Sequence, residues 1–159
     1  MKWDLSKIKV LFICVHNSAR SQMAEEFLRK LGGDDFSVES AGLDPKPVNP
    51  LVIEVMKEEG VDLSSKETKD VWDLFRKERY YNWVITVCEK EWEAKCPTFP
   101  GIYHRSHWGF PDPSRLTGSQ EEKLDKLRKI RDMIKLRINL FIDEARKQKI
   151  IDDRKKGEQ

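Results

Sequence analysis

Residues 12–27 read FICVHNSARSQMAEEF, an apolar run that passes through a short polar loop into a helical pattern. The run starts at Lys9 as KVLFIC, a continuous apolar segment that is typical of a strand buried on both faces of a parallel sheet. Between residues 21 and 31 apolar side chains recur at helical spacing, and Gly32 and Gly33 follow as a stop signal. A buried strand, a loop and a helix in this order indicate an α/β fold.

The rest of the chain continues this alternation. The pattern predicts further strands and helices, the strands at residues 36–41 and 83–88 and the helices at residues 49–59 and 119–147. Such an alternation is typical of a parallel sheet with helices on both faces. We expect residues 1–149 to form a single catalytic domain, and residues 150–159 to form a polar, frayed C-terminal tail.

Composition narrows the class of protein. Of the 159 residues, 38% are hydrophobic and 36% charged, and the net charge is +2, so neither a nucleic-acid partner nor a membrane surface is indicated. The first 14 residues lack a signal-peptide pattern, and every apolar run is shorter than the roughly 18 residues that a membrane span needs. We therefore expect a soluble cytoplasmic protein. In that compartment its three cysteines are reactive or incidental rather than paired in structural disulfides.

The loop after the first strand is the candidate site. Cys14 ends the strand, and Arg20 follows six positions later. The residues between them, hereafter the anion loop, are Val15, His16, Asn17, Ser18 and Ala19. Backbone N–H groups of such a loop and of the first helical turn can converge on a tetrahedral anion, reinforced by the positive helix end. The Arg20 guanidinium can bind two oxygens of the same anion.

The same positive potential favours the thiolate form of Cys14. A thiolate beneath a bound oxyanion can attack its central atom, and Ser21 could hydrogen-bond the sulfur. Asn17 suits a loop position with positive φ. The alternative, a core cysteine beside a surface arginine, fits the strand–loop–helix context less well. A nucleotide-binding loop is disfavoured because the pattern G-x-x-x-x-G-K-[ST] is absent.

The segment CVHNSARSQMAEEF resembles the phosphate-binding loop of low-molecular-weight protein tyrosine phosphatases, and still more that of their relatives, the thioredoxin-coupled arsenate reductases. The resemblance extends from about residue 9 to residue 147. Further matches are SAG at residues 40–42, TVCEKEWEAKCP at 86–97 and HWGFPDPS at 107–114. The resemblance implies a four-stranded parallel sheet flanked by helices, with the anion loop after the first strand.

The resemblance also implies a reaction, the reduction of arsenate to arsenite in arsenic resistance. Cys14 would attack arsenate, and phosphate or sulfate would bind as analogues. Cys88 would then attack the Cys14 sulfur and release arsenite. Cys96 would take over the disulfide, and thioredoxin would reduce it. Thiols supply the electrons, so no organic cofactor is expected. Asp112 matches the general acid of the family, although an Asp-Pro turn would explain it equally simply.

The spacing of the second and third cysteines makes the relay testable. The composition of residues 89–95 favours a helix, and eight helical steps would separate Cys88 from Cys96 by about 12 Å. A disulfide requires Cα atoms within about 7 Å, so oxidation should unwind residues 88–96, hereafter the thiol segment. The alternative is a buried Cys88 and an incidental Cys96. The segment has one residue more between its cysteines than is common in the family.

The resemblance further suggests a potassium ion beside the anion loop. The matching oxygen-bearing residues are Asn17, Glu25, Ser40, Thr68 and Asp70. Each of them also has an ordinary role in a turn or a helix cap.

Two other functions stay open. The first is a protein tyrosine phosphatase with a Cys14 phosphoenzyme and Asp112 as acid. Ser114 weakens that reading, because phosphatases of this family usually have a tyrosine there. The second is a non-catalytic protein that senses oxyanions or redox state.

Overall fold

The computed structural model describes residues 6–101 and 103–158. Within these residues the fold is built on a four-stranded sheet, in which every pair of neighbours is parallel and the order is β2-β1-β3-β4. The strands are β1 (Ile8–Cys14), β2 (Phe36–Gly42), β3 (Trp83–Thr86) and β4 (His104–His107). Cys14 lies opposite Gly42 in the register of β1 and β2, so the anion loop leaves the sheet beside the end of β2.

The described helices are α1 (Arg20–Gly32), α2 (Pro50–Lys57), α3 (Val71–Arg76), α4 (Lys90–Glu93) and α5 (Gln120–Gly157), and single 3₁₀ turns cover Gly33–Asp35 and Pro113–Arg115. Side chains alternate between the two faces of β1. Phe12 and Cys14 belong to the larger core, with residues of α1, α2 and α5, whereas Leu11 and Ile13 pack on the other face with residues of α3. The predicted α/β fold with helices on both faces is confirmed.

The structure departs from the sequence prediction at three elements. β3 ends at Thr86, two residues earlier than predicted, although the Val87 N–H still donates to Ile13 O at 2.9 Å. Neither β4 nor α3 was predicted, because these elements have only four and six residues, and HRSH of β4 lacks an apolar pattern.

The predicted end of the last helix, at residue 147, is wrong. α5 continues to Gly157 through the segment assigned to a frayed tail. Polar side chains hold this extension: Asp152 Oδ2 lies 2.8 Å from His104 Nε2 of β4, and Lys149 Nζ donates to Asp153 Oδ2 at 2.7 Å. Residues 1–5 of the predicted domain and residue 159 of the predicted tail lie outside the described residues. The assignment to one domain stays a prediction.

None of the helices within residues 6–101 and 103–158 has both the length and the apolar character that crossing a membrane requires.

Candidate active site

The carbonyl groups of the anion loop are turned towards the segment that follows β2. Residues 43–49 donate backbone N–H groups to the carbonyls of Cys14 (3.1 Å), Val15 (2.7 Å), His16 (3.0 Å) and Ser18 (2.9 Å). In a trans peptide the N–H points opposite to the C=O. The N–H groups of the following residues therefore point away from this segment, into the concave side of the loop, where an anion would lie.

Gly42 allows this support to come close. A Cβ atom at Gly42 would lie 2.8 Å from backbone atoms of Val15, His16 and Asn17, which is shorter than any normal contact. The Gly42 N–H donates to Lys69 O at 2.8 Å. The end of β2 can therefore lie directly against the anion loop only because this residue has no side chain.

Cys14 lies at the base of the loop, 3% exposed, as a free thiol. Its Sγ accepts the Asn17 N–H at 3.1 Å and lies 2.9 Å from Ser21 Oγ. Asn17 has φ 54°, which confirms the prediction of positive φ at this position. Donors therefore converge on the sulfur as they would on a thiolate, and Ser21 makes the predicted contact.

Arg20, the first residue of α1, faces the mouth of the site and is 5% exposed. Its Nη1 donates to Glu89 Oε1 and to Phe110 O, both at 3.2 Å, and its Nη2 lies 3.8 Å from Asp112 Oδ1. Within the described residues, the buried Nε of Arg20 lacks a hydrogen-bond partner. An unsatisfied buried donor costs about 1–3 kcal/mol, so a bound oxyanion that accepts from Nε would stabilise this arrangement.

Asp112 borders the same guanidinium. Its Oδ1 accepts from the backbone N–H of Ser114 at 2.9 Å and from the Ser114 hydroxyl at 2.8 Å. Partial burial raises the pKa of Asp112, but the hydrogen bonds from Ser114 and the charges of Arg20 and Arg115 outweigh it, so the pKa lies below the ordinary value of 3.8. These contacts favour the carboxylate form of Asp112, and its role as a general acid stays a prediction.

The three thiols divide between the two faces of the sheet. Cys88 is fully buried in the same core cluster as Cys14, whereas Cys96, 8% exposed, packs with the cluster on the other face. Burial, followed by the neighbouring sulfurs of Cys96 and Cys14, raises the pKa of Cys88 to about 12, and Arg20 opposes this rise. Burial likewise raises the pKa of Cys96 to about 11. Cys88 is thus a protonated thiol next to the site, and Cys96 packs in the other cluster but close enough to Cys88 for the two sulfurs to influence each other.

The thiol segment is less helical than its composition predicted. Only Lys90–Glu93 form a helix, and all four of these residues are at least partly exposed. Cys96 Sγ lies 3.8 Å from Trp92 O, a long contact even for sulfur. The segment is therefore held mainly at its two ends, by the buried side chains of Cys88 and Cys96, and between them Trp92 of α4 packs partly buried against the larger core.

The residues predicted to bind potassium do not fit that ion. Asn17, Glu25 and Ser40 do come together beneath the anion loop, but Asn17 Oδ1 already accepts from Gln22 Nε2 (3.2 Å) and from the Lys69 N–H (2.9 Å). Glu25 Oε1 accepts from Ser40 Oγ at 2.7 Å.

The other groups of the predicted set lead to the same conclusion. The ammonium of Lys66 lies at Glu25 Oε2. The Asp70 carboxylate accepts the N–H of Trp72 at 2.8 Å and caps α3, and Thr68 is half-buried in the segment that precedes it. Across residues 6–101 and 103–158, His, Cys, Asp and Glu side chains form no cluster of three or more that could hold a metal ion.

The sequence analysis did not identify three residues that contact the site residues Arg20, Glu25 and Asn17. Glu89 pairs with Arg20 across 69 positions, Lys66 pairs with Glu25 across 41, and Gln22 links Asn17 to the carbonyl of Glu67 at 3.3 Å. A local pattern cannot predict contacts of such sequence separation. Gln22 and Glu89 do have a usable signal, because Gln22 follows Arg20 by two residues and Glu89 directly follows Cys88 within segments that resemble the family.

Comparisons with known proteins agree with this geometry. The sequence model of the low molecular weight phosphotyrosine protein phosphatases matches residues 9–151. An arsenate reductase of Halalkalibacterium halodurans is 40% identical over 141 residues, which cover 87% of this chain and 98% of the relative.

Solved structures give the same picture. A thioredoxin-dependent arsenate reductase of Corynebacterium glutamicum is 32% identical with a TM-score of 0.69, over 92% of this chain and 65% of that one. An arsenate reductase in a phosphate-binding state is 29% identical with a TM-score of 0.67, over 87% of this chain and 98% of that one. With the match covering nearly all of its length, the chain belongs to the low molecular weight phosphotyrosine protein phosphatase family.

Proposed function

We propose that this protein is an arsenate reductase, which converts arsenate to arsenite with electrons from its own thiols. The observation that carries the proposal is the position of Cys88, fully buried in the same cluster as Cys14 and close enough to Arg20 for the guanidinium charge to act on its thiol. A phosphatase needs no second cysteine there. Relatives at about 40% identity that are named arsenate reductases support the same reaction.

The first step uses the anion loop. Arsenate binds through the loop N–H groups and the Arg20 guanidinium, whose unpaired Nε would donate to an arsenate oxygen. The Cys14 thiolate attacks arsenic, so that a sulfur–arsenic bond forms and one arsenic–oxygen bond breaks. That oxygen leaves as water after it takes up a proton. The hydroxyl of Ser21, 2.9 Å from the sulfur, stabilises the thiolate before this attack.

The second step transfers the electrons. Cys88 loses its proton and attacks the Cys14 sulfur, which forms a disulfide and breaks the sulfur–arsenic bond. The electron pair of that bond stays with arsenic, which is reduced from As(V) to As(III) and leaves as arsenite. Because burial keeps the pKa of Cys88 near 12, Cys88 stays protonated until the adduct has formed and the segment has moved.

The third step regenerates Cys14. Cys96 attacks Cys88, the Cys14 thiolate leaves, and a Cys88–Cys96 disulfide remains. Since the two thiols lie in clusters on opposite faces of the sheet, this step requires rearrangement of the weakly packed thiol segment. A shallow depression beside Cys96, lined by Lys90, Glu93, Ala94, Thr98 and Arg105, is the surface where we expect thioredoxin to bind and reduce that disulfide.

We further propose that the reaction needs no organic cofactor and takes place in the cytoplasm. Each turnover consumes two electrons, and the thiols supply both. Reduced thiols of this kind persist in a reducing compartment.

A coupled assay tests the proposal. Purified protein, thioredoxin, thioredoxin reductase and NADPH are mixed, and NADPH oxidation is followed after arsenate is added. Wild-type protein should oxidise NADPH in proportion to arsenate. Cys88→Ser should abolish this oxidation but spare the hydrolysis of an aryl phosphate, which needs only Cys14 and Arg20. In Cys96→Ser, one equivalent of arsenite should form per protein, without turnover.

The outcome separates the candidates. If the aryl phosphate is hydrolysed rapidly and arsenate oxidises no NADPH, the protein is a phosphatase. That alternative has Asp112 at the guanidinium in its favour, and the low pKa of Asp112 and the presence of Ser114 against it. If neither reaction occurs while phosphate still binds, the protein is an oxyanion sensor.

A further inference from the structure

A cluster of charged side chains around the buried Glu25 lies beneath the anion loop, outside the reacting groups. Glu25 is 1% exposed, and its Oε2 contacts the Lys66 ammonium and, at 2.8 Å, Arg29 Nη1. The same two cations also reach Glu26, whose Oε1 accepts from Lys66 Nζ at 2.8 Å. Two carboxylates therefore face two cations, and the charge of the cluster is balanced without an added ion.

The ionisation of this cluster follows from the contacts. Burial raises the pKa of Glu25, but hydrogen bonds from Lys66 and Ser40 and the charges of Lys66 and Arg29 outweigh it, so the pKa is lowered. Burial lowers the pKa of Lys66, but Glu25 and Glu26 outweigh it in the same way, so that pKa is raised. Carboxylate and ammonium thus keep each other charged.

A chain of hydrogen bonds connects this cluster to the nucleophile. The Ser40 hydroxyl donates to Glu25 Oε1 at 2.7 Å, so its oxygen accepts from Asn17 Nδ2 at 2.9 Å. The second N–H of Asn17 Nδ2 donates to Ser21 Oγ at 2.8 Å. Ser21 has one hydroxyl hydrogen, and since its oxygen already accepts, that hydrogen is free for Cys14 Sγ at 2.9 Å.

The direction of the whole chain depends on a single acceptor, the Glu25 carboxylate. If Glu25 took up a proton or turned away, Ser40 could donate to Asn17 or to water, and the amide of Asn17 would lose its fixed orientation. The charge that prevents this comes from Lys66, which is 23% exposed and belongs to the loop before α3.

We propose that Lys66 is a positioning residue for Cys14 and the resident cation of this site, in the place where the family resemblance suggested potassium. Its ammonium compensates Glu25, and through Ser40, Asn17 and Ser21 it fixes the hydroxyl that donates to the sulfur. A potassium ion would add a third positive charge to a balanced cluster whose oxygens already have protein donors. The proposal rests on the proposed function only in taking Cys14 as the nucleophile.

The test measures the reactivity of Cys14 directly. The rate at which iodoacetamide alkylates Cys14 in folded protein is followed by mass spectrometry of the Cys14 peptide. Lys66→Met should lower this rate about tenfold, less than the roughly 100-fold that a full ångström of misplacement can cost, because the backbone of the anion loop stays in place. Lys66→Arg should restore most of it. Lys57→Met is the control, because Lys57 is an exposed lysine at the end of α2 and lies outside the cluster and the hydrogen-bond chain.

Potassium provides a second readout. Replacing sodium by potassium at constant ionic strength should change neither the Tm nor the alkylation rate of the wild type. In Lys66→Met, potassium should restore part of the rate, because the vacated carboxylate then accepts a free cation. The double variant E25Q/K66M removes both charges, so it should alkylate near the wild-type rate, and it keeps the test open if Lys66→Met alone fails to fold.

Three results would overturn the proposal: a wild-type Tm that rises with potassium but not with sodium, a folded Lys66→Met with the wild-type alkylation rate, or a double variant as slow as Lys66→Met alone. None of these measurements uses arsenate or thioredoxin. A protein that fails to reduce arsenate would therefore leave this inference intact, and failure of this inference would leave the relay intact.

Discussion

The anion loop and the thiol segment lie on two sides of Arg20, and they are held in opposite ways. Four carbonyls at the anion loop accept from residues 43–49, Gly42 packs against it without a side chain, and its Asn17 is fully buried. The thiol segment has a helix of four residues that are all at least partly exposed, and its buried side chains are the two cysteines at its ends, Cys88 and Cys96. An anion site must be rigid, because its hydrogen-bond donors have to be in place where negative charge develops in the transition state. A thiol carrier must move, since its sulfur has to reach two partners.

The largest effect is expected from a substitution that displaces the backbone of the rigid anion loop. In Gly42→Ala the new Cβ would lie 2.8 Å from backbone atoms of the anion loop, which have no side-chain freedom to yield. The overpacking should cost about 1–3 kcal/mol of unfolding free energy, and the displaced loop should lower kcat/KM for arsenate by about 100-fold. Urea unfolding and the coupled assay measure the two effects.

Gly109→Ala is the control for that substitution. A Cβ atom added at Gly109 would lie 4.0 Å from His107 Nε2, an ordinary van der Waals contact. Both its stability and its activity should stay close to the wild type. If Gly42→Ala kept wild-type activity, the loop would tolerate displacement, and the contrast between the two regions would be lost.

The anion loop could be predicted from the sequence better than the thiol segment could. The strand–loop–helix unit was predictable because the pattern is local: apolar run, loop and helix are contiguous in residues 9–31. Asn17 could be assigned a positive φ from residue type alone. In the thiol segment, residue type was misleading, because helix-forming composition carries little weight when a segment lacks a buried face.

The ion pairs lay beyond prediction for another reason. The partners of Lys66 and Glu89 are distant in the sequence, 41 and 69 positions away, and only the folded sheet brings them together. The family resemblance implied a fourth strand without locating it, and the sequence of β4, HRSH, does not reveal its position because it lacks an apolar pattern.

An intermediate effect is expected from alkaline pH, and it should arise in the thiol segment. Burial raises the pKa of Cys88 to about 12 and that of Cys96 to about 11, whereas an unfolded thiol has a pKa near 9. The unfolded chain therefore loses protons first as pH rises. The stability that these thiols contribute is fully present below pH 9 and is lost as pH rises towards 12. At pH 10 the loss should be about 1.4 kcal/mol per thiol.

Urea midpoints of reduced protein at pH 8 and pH 10 measure this loss. The variant C88A/C96A should lose less stability between the two pH values than the wild type, because lysines and tyrosines titrate alike in both proteins. Equal losses would mean that the two thiols ionise in the folded state as easily as in the unfolded one, and that the segment does not shield them.

The smallest effect is expected at the contact that joins the two regions. Arg20 Nη1 donates to Glu89 Oε1 at 3.2 Å, so the Glu89 carboxylate occupies a donor that an arriving oxyanion needs. In Glu89→Gln this competition weakens, and KM for arsenate should fall about threefold, since a partly exposed ion pair contributes less than about 1 kcal/mol. Hydrogen exchange of residues 89–96 should become faster, because the thiol segment loses its ion pair with Arg20 of α1.

Glu91→Gln is the control: it removes the same charge from an exposed position on α4 and should change neither the KM for arsenate nor the hydrogen exchange. If arsenate KM and segment exchange both stayed at the wild-type values, Glu89 would not link substrate binding to release of the thiol segment, and the two regions would work independently.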